Sequence, residues 1–118
     1  MEIRPMIFDH ERLEVYRIAL RFLDSAHAVS RIMPAGNRSL CEQLRRAATS
    51  VVLNIAEGAE EYSGPEKKRF YRMAKRSGPE CAAALEICRH LADGDPAIFA
   101  TARAQLGSIV RILVTLAK

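Results

Sequence analysis

Apolar residues recur along this chain every three to four positions, in four runs separated by short polar or glycine- and proline-containing breaks. That is the periodicity of amphipathic α-helices. In the first run Leu13, Tyr16, Ala19, Leu20, Leu23 and Ala26 form one stripe, and Ile18, Phe22, Val29 and Ile32 an adjoining one. Asp9 is a good N-cap residue and Glu11 stands in the following turn, so a helix is predicted from about His10 to Met33. Pro34 forbids its continuation, and Ala35-Gly36-Asn37 makes a loop.

Ser39 followed three residues later by Glu42 reads as a capping box and starts the second helix at Leu40. Leu40, Leu44, Ala47, Ala48, Val51 and Ile55 share a narrow face, and Gly58 is placed to end the helix in the left-handed conformation. The many small residues of this helix predict close approach of a neighbour. Ser63-Gly64-Pro65-Glu66 offers a further capping box with proline in the tolerant first turn. Phe70, Met73, Ala74, Cys81, Ala84, Leu85, Cys88 and Leu91 then keep helical period to Asp93-Gly94. Pro79 cannot donate to the carbonyl of Lys75, so a kink near Gly78-Pro79 within one long helix is predicted, with a full break as the alternative. Asp95-Pro96 supplies an N-cap and a first-turn proline for a last helix reaching almost to Lys118. Ile98, Phe99, Ala102, Leu106, Ile109, Val110, Leu113, Leu116 and Ala117 give it a broad apolar arc.

Four such helices with short connections point to an all-α protein, an antiparallel up-down-up-down four-helix bundle forming one domain over residues 1–118 with a short tail, 1–8. The tail carries Pro5 and the apolar cluster Met6, Ile7 and Phe8. A chain of 118 residues holds one core and not two. The surplus apolar surface of the last helix predicts self-association. No run of eighteen apolar residues and no signal-peptide-like hydrophobic core occurs, so the expected location is the cytoplasm, with no membrane partner.

Charge adds one candidate site. Eighteen Lys and Arg against fourteen Asp and Glu leave a net charge of +4, which admits a polyanionic partner without requiring one. Lys67, Lys68, Arg69, Arg72, Lys75 and Arg76 fall in one ten-residue window without a carboxylate. At helical spacing Lys68, Arg69, Arg72, Lys75 and Arg76 lie on one side, opposite Phe70, Met73 and Ala74. This is a candidate face for binding the phosphates of RNA or DNA, and the competing reading is a solvated helix surface. Tyr71 is the one aromatic nearby that could stack on a base, and Arg45, Arg46, Arg103 and Arg111 are candidates to enlarge the patch.

On the second helix Arg46, Ser50, Asn54 and Glu57 are spaced by four, four and three, and line up beside the apolar face. Polar groups so close to a core need partners, so the stripe reads as a structural network that seats the helix and not as a catalytic one. Cys41, Cys81 and Cys88 lack C-x-x-C spacing and read as buried free thiols. Asp24-Ser25-Ala26-His27 and the four-residue step from Glu86 to His90 do not make the paired E-x-x-H motifs of a di-iron bundle, and His10, His27 and His90 fall on three separate segments. No nucleophile elbow, P-loop or dinucleotide fingerprint is present. The expected protein is non-enzymatic, with no catalytic residue, no metal and no cofactor.

The run Gln43-Leu44-Arg45-Arg46-Ala47, Ser50, and Asn54-Ile55-Ala56-Glu57-Gly58 resembles the pattern Q-L-R-R-A-x-x-S-I-x-x-N-I-A-E-G of the family named for 23S rRNA intervening-sequence proteins, with Val51 in the isoleucine position. Ala74, Ser77 and Glu80 match its second motif, A-x-G-S-x-x-E, while Arg76 replaces the glycine and Gly78-Pro79 is unusual between the serine and the glutamate. The resemblance implies a left-handed antiparallel four-helix bundle that assembles as a homopentamer. Relatives include accessory proteins of diversity-generating retroelements, which bind nucleic acid and a reverse transcriptase. It implies no catalytic residues. A nucleic-acid-binding or ribonucleoprotein accessory protein is therefore the leading expectation, and a protein-interaction scaffold with no nucleic-acid role is the alternative.

Overall fold

The computed structural model describes residues 8–118; Pro5, Met6 and Ile7 of the tail lie outside them. Four helices follow a 3-10 turn at Asp9–Arg12: α1 (Glu14–Ile32), α2 (Arg38–Glu60), α3 (Gly64–Leu91) and α4 (Ala97–Leu116). The described residues contain no strand. α1 and α3 each pack against both α2 and α4. Cross-helix contacts pair Ser30 with Cys41 and His10 with Glu60, Ser50 with Ser77 and Gly58 with Tyr71, Glu86 with Arg103 and Arg72 with Ala117. Within each pair of consecutive helices, residue numbers rise along one as they fall along the other.

The core is the sum of the stripes read from periodicity. Phe22, Leu44, Val51, Ile55, Ile109 and Leu113 are fully buried, and Val15, Ile18, Ala26, Val29, Ala74, Cys81, Cys88 and Leu106 close the layers between them. Each large side chain buried in this way contributes about 1.5–3 kcal/mol, against about 0–1 kcal/mol for an exposed ion pair. Packing therefore holds the bundle. The cross-helix polar contacts, such as Ser25 Oγ donating to Gln105 Oε1 at 2.7 Å, fix how the helices sit.

Several boundaries differ from the sequence expectation, each for a local reason. The first helix does not run from His10. Leu13 is extended (φ −81°, ψ 126°) and separates the 3-10 turn from α1. Asp9 is not the cap; Phe8 precedes the turn, and its N–H donates to Glu11 Oε1 at 3.0 Å. The turn is tied to the end of α2, where Glu60 Oε1 accepts from the His10 N–H at 3.2 Å and meets His10 Nδ1 at 2.8 Å. α2 begins at Arg38 with Asn37 before it, so Ser39 lies inside the helix and caps nothing; Glu42 pairs back to Arg38 instead. Gly58 also lies inside α2 and carries no positive φ. α3 passes through Pro79 without interruption, which excludes a full break there. α4 has Pro96 as its cap residue, and Asp95 accepts from the Ala97 N–H one position outside it.

Candidate nucleic-acid interface

α3 starts as its sequence dictates. Ser63 Oγ accepts from the Glu66 N–H at 3.2 Å, and proline occupies the first turn, where its missing donor costs nothing. The basic window lies in the next two turns, and its members have different surroundings. Lys67 is half-buried, and its Nζ donates to the carbonyls of Gly58 and Ala59 at 3.2 and 2.8 Å, so it closes the C-terminal end of α2. Arg69 is held by Glu66, with Nη2 to Oε2 at 3.0 Å and the guanidinium 4.5 Å from the Phe70 ring centre. The hydrogen bond from Glu66 raises the pKa of Arg69, and its charge is locally offset. Arg72 reaches the Ala117 carbonyl at 3.4 Å, at the C-terminal end of α4, and remains exposed.

Lys68, Lys75 and Arg76 form no ion pair among the described residues; Lys68 and Arg76 are exposed and Lys75 is half-buried. Lys68, Arg72, Lys75 and Arg76 recur at steps of four, three and one, which spans about 100° of the helix circumference at 3.6 residues per turn. The structure thus brings four of the five expected residues into a band free of carboxylate partners and ties the fifth, Arg69, to Glu66.

Tyr71 is not available for stacking. It is buried against Gly58, where a Cβ would stand 2.7 Å from its ring, and burial raises the pKa of its phenol. Of the arginines considered as extensions, Arg103 is paired with Glu86 at 3.4 Å, while Arg45 and Arg46 line a separate groove with His27, Thr49, Leu53 and Glu57.

The polar stripe of α2 divides in two. Ser50 Oγ lies 3.2 Å from Ser77 Oγ, and Asn54 Nδ2 donates to the Ser50 carbonyl at 2.9 Å and to Ser50 Oγ at 3.2 Å. Ser77 is itself buried and donates on to the Met73 carbonyl at 3.4 Å. This half joins α2 to α3 as a structural network. Arg46 and Glu57 face solvent and take no part in it. The signal that separates them was available in outline, since serine and asparagine cross a tight interface that long charged side chains do not fit.

Burial pushes the thiols up, Cys81 to about 12 and Cys88 to about 11, so neither is a ready nucleophile. Among the described residues no three His, Cys, Asp or Glu side chains converge on a point where a metal ion could sit. The chemistry available on this surface is binding through cations. An all-α four-helix bundle with one cationic helix face is the class of protein that these features define. Residues 11–115 match the family described as 23S rRNA-intervening sequence protein, and the chain belongs to that family. No curated protein matches the chain closely enough to count as a relative.

Proposed function

We propose that this protein is a non-enzymatic, homo-oligomeric accessory protein that binds nucleic acid through the α3 band of Lys68, Arg72, Lys75 and Arg76, with Arg69 at its rim. The observation that carries this reading is that these four cations share one helix face and none has a carboxylate partner within its own chain among the described residues. A face that merely kept the bundle soluble would do so equally well with its cations interleaved with acids, as on most helix surfaces. Fixed cations on a rigid helix recognise phosphates and carry no base readout, so binding is salt-sensitive and largely blind to sequence. The family name associates the group with 23S rRNA, which makes RNA the first polyanion to try. Several copies of the band in one oligomer raise the affinity of a weak patch by avidity.

Fluorescence anisotropy with a labelled single-stranded RNA at low ionic strength tests the reading. Lys75→Glu with Arg76→Glu is expected to weaken binding by at least about tenfold, since each lost phosphate contact and each added repulsion acts on the same term. Unchanged binding in this variant would sink it.

A second reading, a protein-interaction scaffold, is favoured by one observation. Between α3 and α4 runs an open groove lined by Gly78, Pro79, Ala82, Leu106, Gly107 and Val110, apolar and built of small residues. Recovery of one stoichiometric protein from nuclease-treated lysate, lost on Gly107→Arg and kept in the charge-reversal variant, would favour the scaffold.

A further inference from the structure

α2 presents to solvent a face that belongs neither to the core nor to the cationic band of α3. Arg46, Ser50, Leu53 and Glu57 lie within about 60° of one another around the helix axis at 3.6 residues per turn. Arg46 and Glu57 are exposed, and Leu53 between them is 58 % exposed. With His27 of α1 they line an open groove of about 710 Å³. Neither the guanidinium nor the carboxylate has an ion-pair partner in its own chain among the described residues.

We infer that this stripe docks against the same stripe of a second copy of the chain, across a two-fold axis that crosses α2 midway between residues 51 and 52. About that axis two antiparallel α2 helices place Arg46 opposite Glu57 of the second copy and Ser50 opposite Leu53. The contact is isologous, so every pair forms twice. Both leucines meet beside the axis, and an ion pair stands about 8 Å to either side along the helix at 1.5 Å per residue. The result is an apolar centre with a charged rim, the ordinary anatomy of a protein interface.

Charge complementarity decides the occupant. A polyanion would meet Glu57 and, one turn on, Glu60. A second copy meets each charge with its opposite and needs nothing the chain does not already carry. The inference uses α2 and is independent of the nucleic-acid reading, which uses α3.

The test is the mass of the native assembly by light scattering, for the wild-type chain and three variants. Arg46→Glu sets a carboxylate against the carboxylate of Glu57, and Glu57→Arg sets a guanidinium against a guanidinium. Each single variant is expected to halve the mass, and the double variant, with both charges exchanged in both copies, to restore it. Leu53→Cys supplies a second readout, a covalent dimer on oxidation that Arg46→Glu suppresses. A monomeric wild-type chain, single variants of unchanged mass, or a double variant that stays at the halved mass would overturn the inference. RNA anisotropy on the same samples keeps the two proposals apart, because loss of the two-fold contact leaves the α3 band of each subunit intact.

Discussion

Gly58 shows how a single residue can be placed correctly in a helix and still be misread. Its position near the end of an apolar stripe suggests a left-handed cap, but it is helical, and its role is to let the Tyr71 ring approach α2. An added Cβ would stand 2.7 and 2.9 Å from two ring carbons, and the ring is enclosed. Gly58→Ala is therefore expected to destabilise the bundle by about 1–3 kcal/mol, the usual cost of overpacking, despite alanine's better helix propensity. Chemical denaturation measures it, and a Tyr71→Leu background should recover part of the loss. Ser77→Ala removes one bond of the Ser50–Asn54–Ser77 network and should cost about 0.5–1.5 kcal/mol in the same experiment. Cys81, with its pKa pushed up to about 12, and Cys88, at about 11, should resist a thiol reagent at pH 8 in the native state and react once the chain is unfolded. Rapid native labelling of either would contradict the burial described.

Elements were legible where the signal is local. Leu44, Ala47, Ala48, Val51 and Ile55 announce the buried face of α2 by spacing alone, and Ser63 with Glu66 announces the start of α3. The break at Leu13 was not legible, because leucine favours helix and the residues that hold the turn apart lie fifty positions away, at Glu60. Its carboxyl pKa is lowered, first by the backbone N–H of His10 and then by the His10 side chain. A depressed carboxyl pKa means a contribution present above the unfolded-state value and lost as pH falls through the folded one. Docking of the 3-10 turn should accordingly loosen in that acidic range, read as faster hydrogen exchange at the His10 and Leu13 amides. Glu60→Gln should show the faster exchange already at neutral pH.

At the scale of the whole molecule, the bundle uses its ends and its sides differently. Lys67 and Arg72 serve carbonyls at the C-terminal ends of α2 and α4, where the helix dipole favours a cation. No sequence pattern separates these from Lys68, Lys75 and Arg76, because the carbonyls they meet belong to other helices. That distinction reduces a run of six cations to a band of four on one face, and the reading of function rests on it. The most direct measurement is the dependence of RNA affinity on salt. If the band contacts phosphates, log K should fall linearly with log[salt], with a slope of about −0.7 per phosphate neutralised on a single strand. Lys75→Glu with Arg76→Glu should make that slope shallower by about 1.4, two contacts' worth. A slope near zero for the wild-type protein, or one that the variant leaves unchanged, would contradict the account.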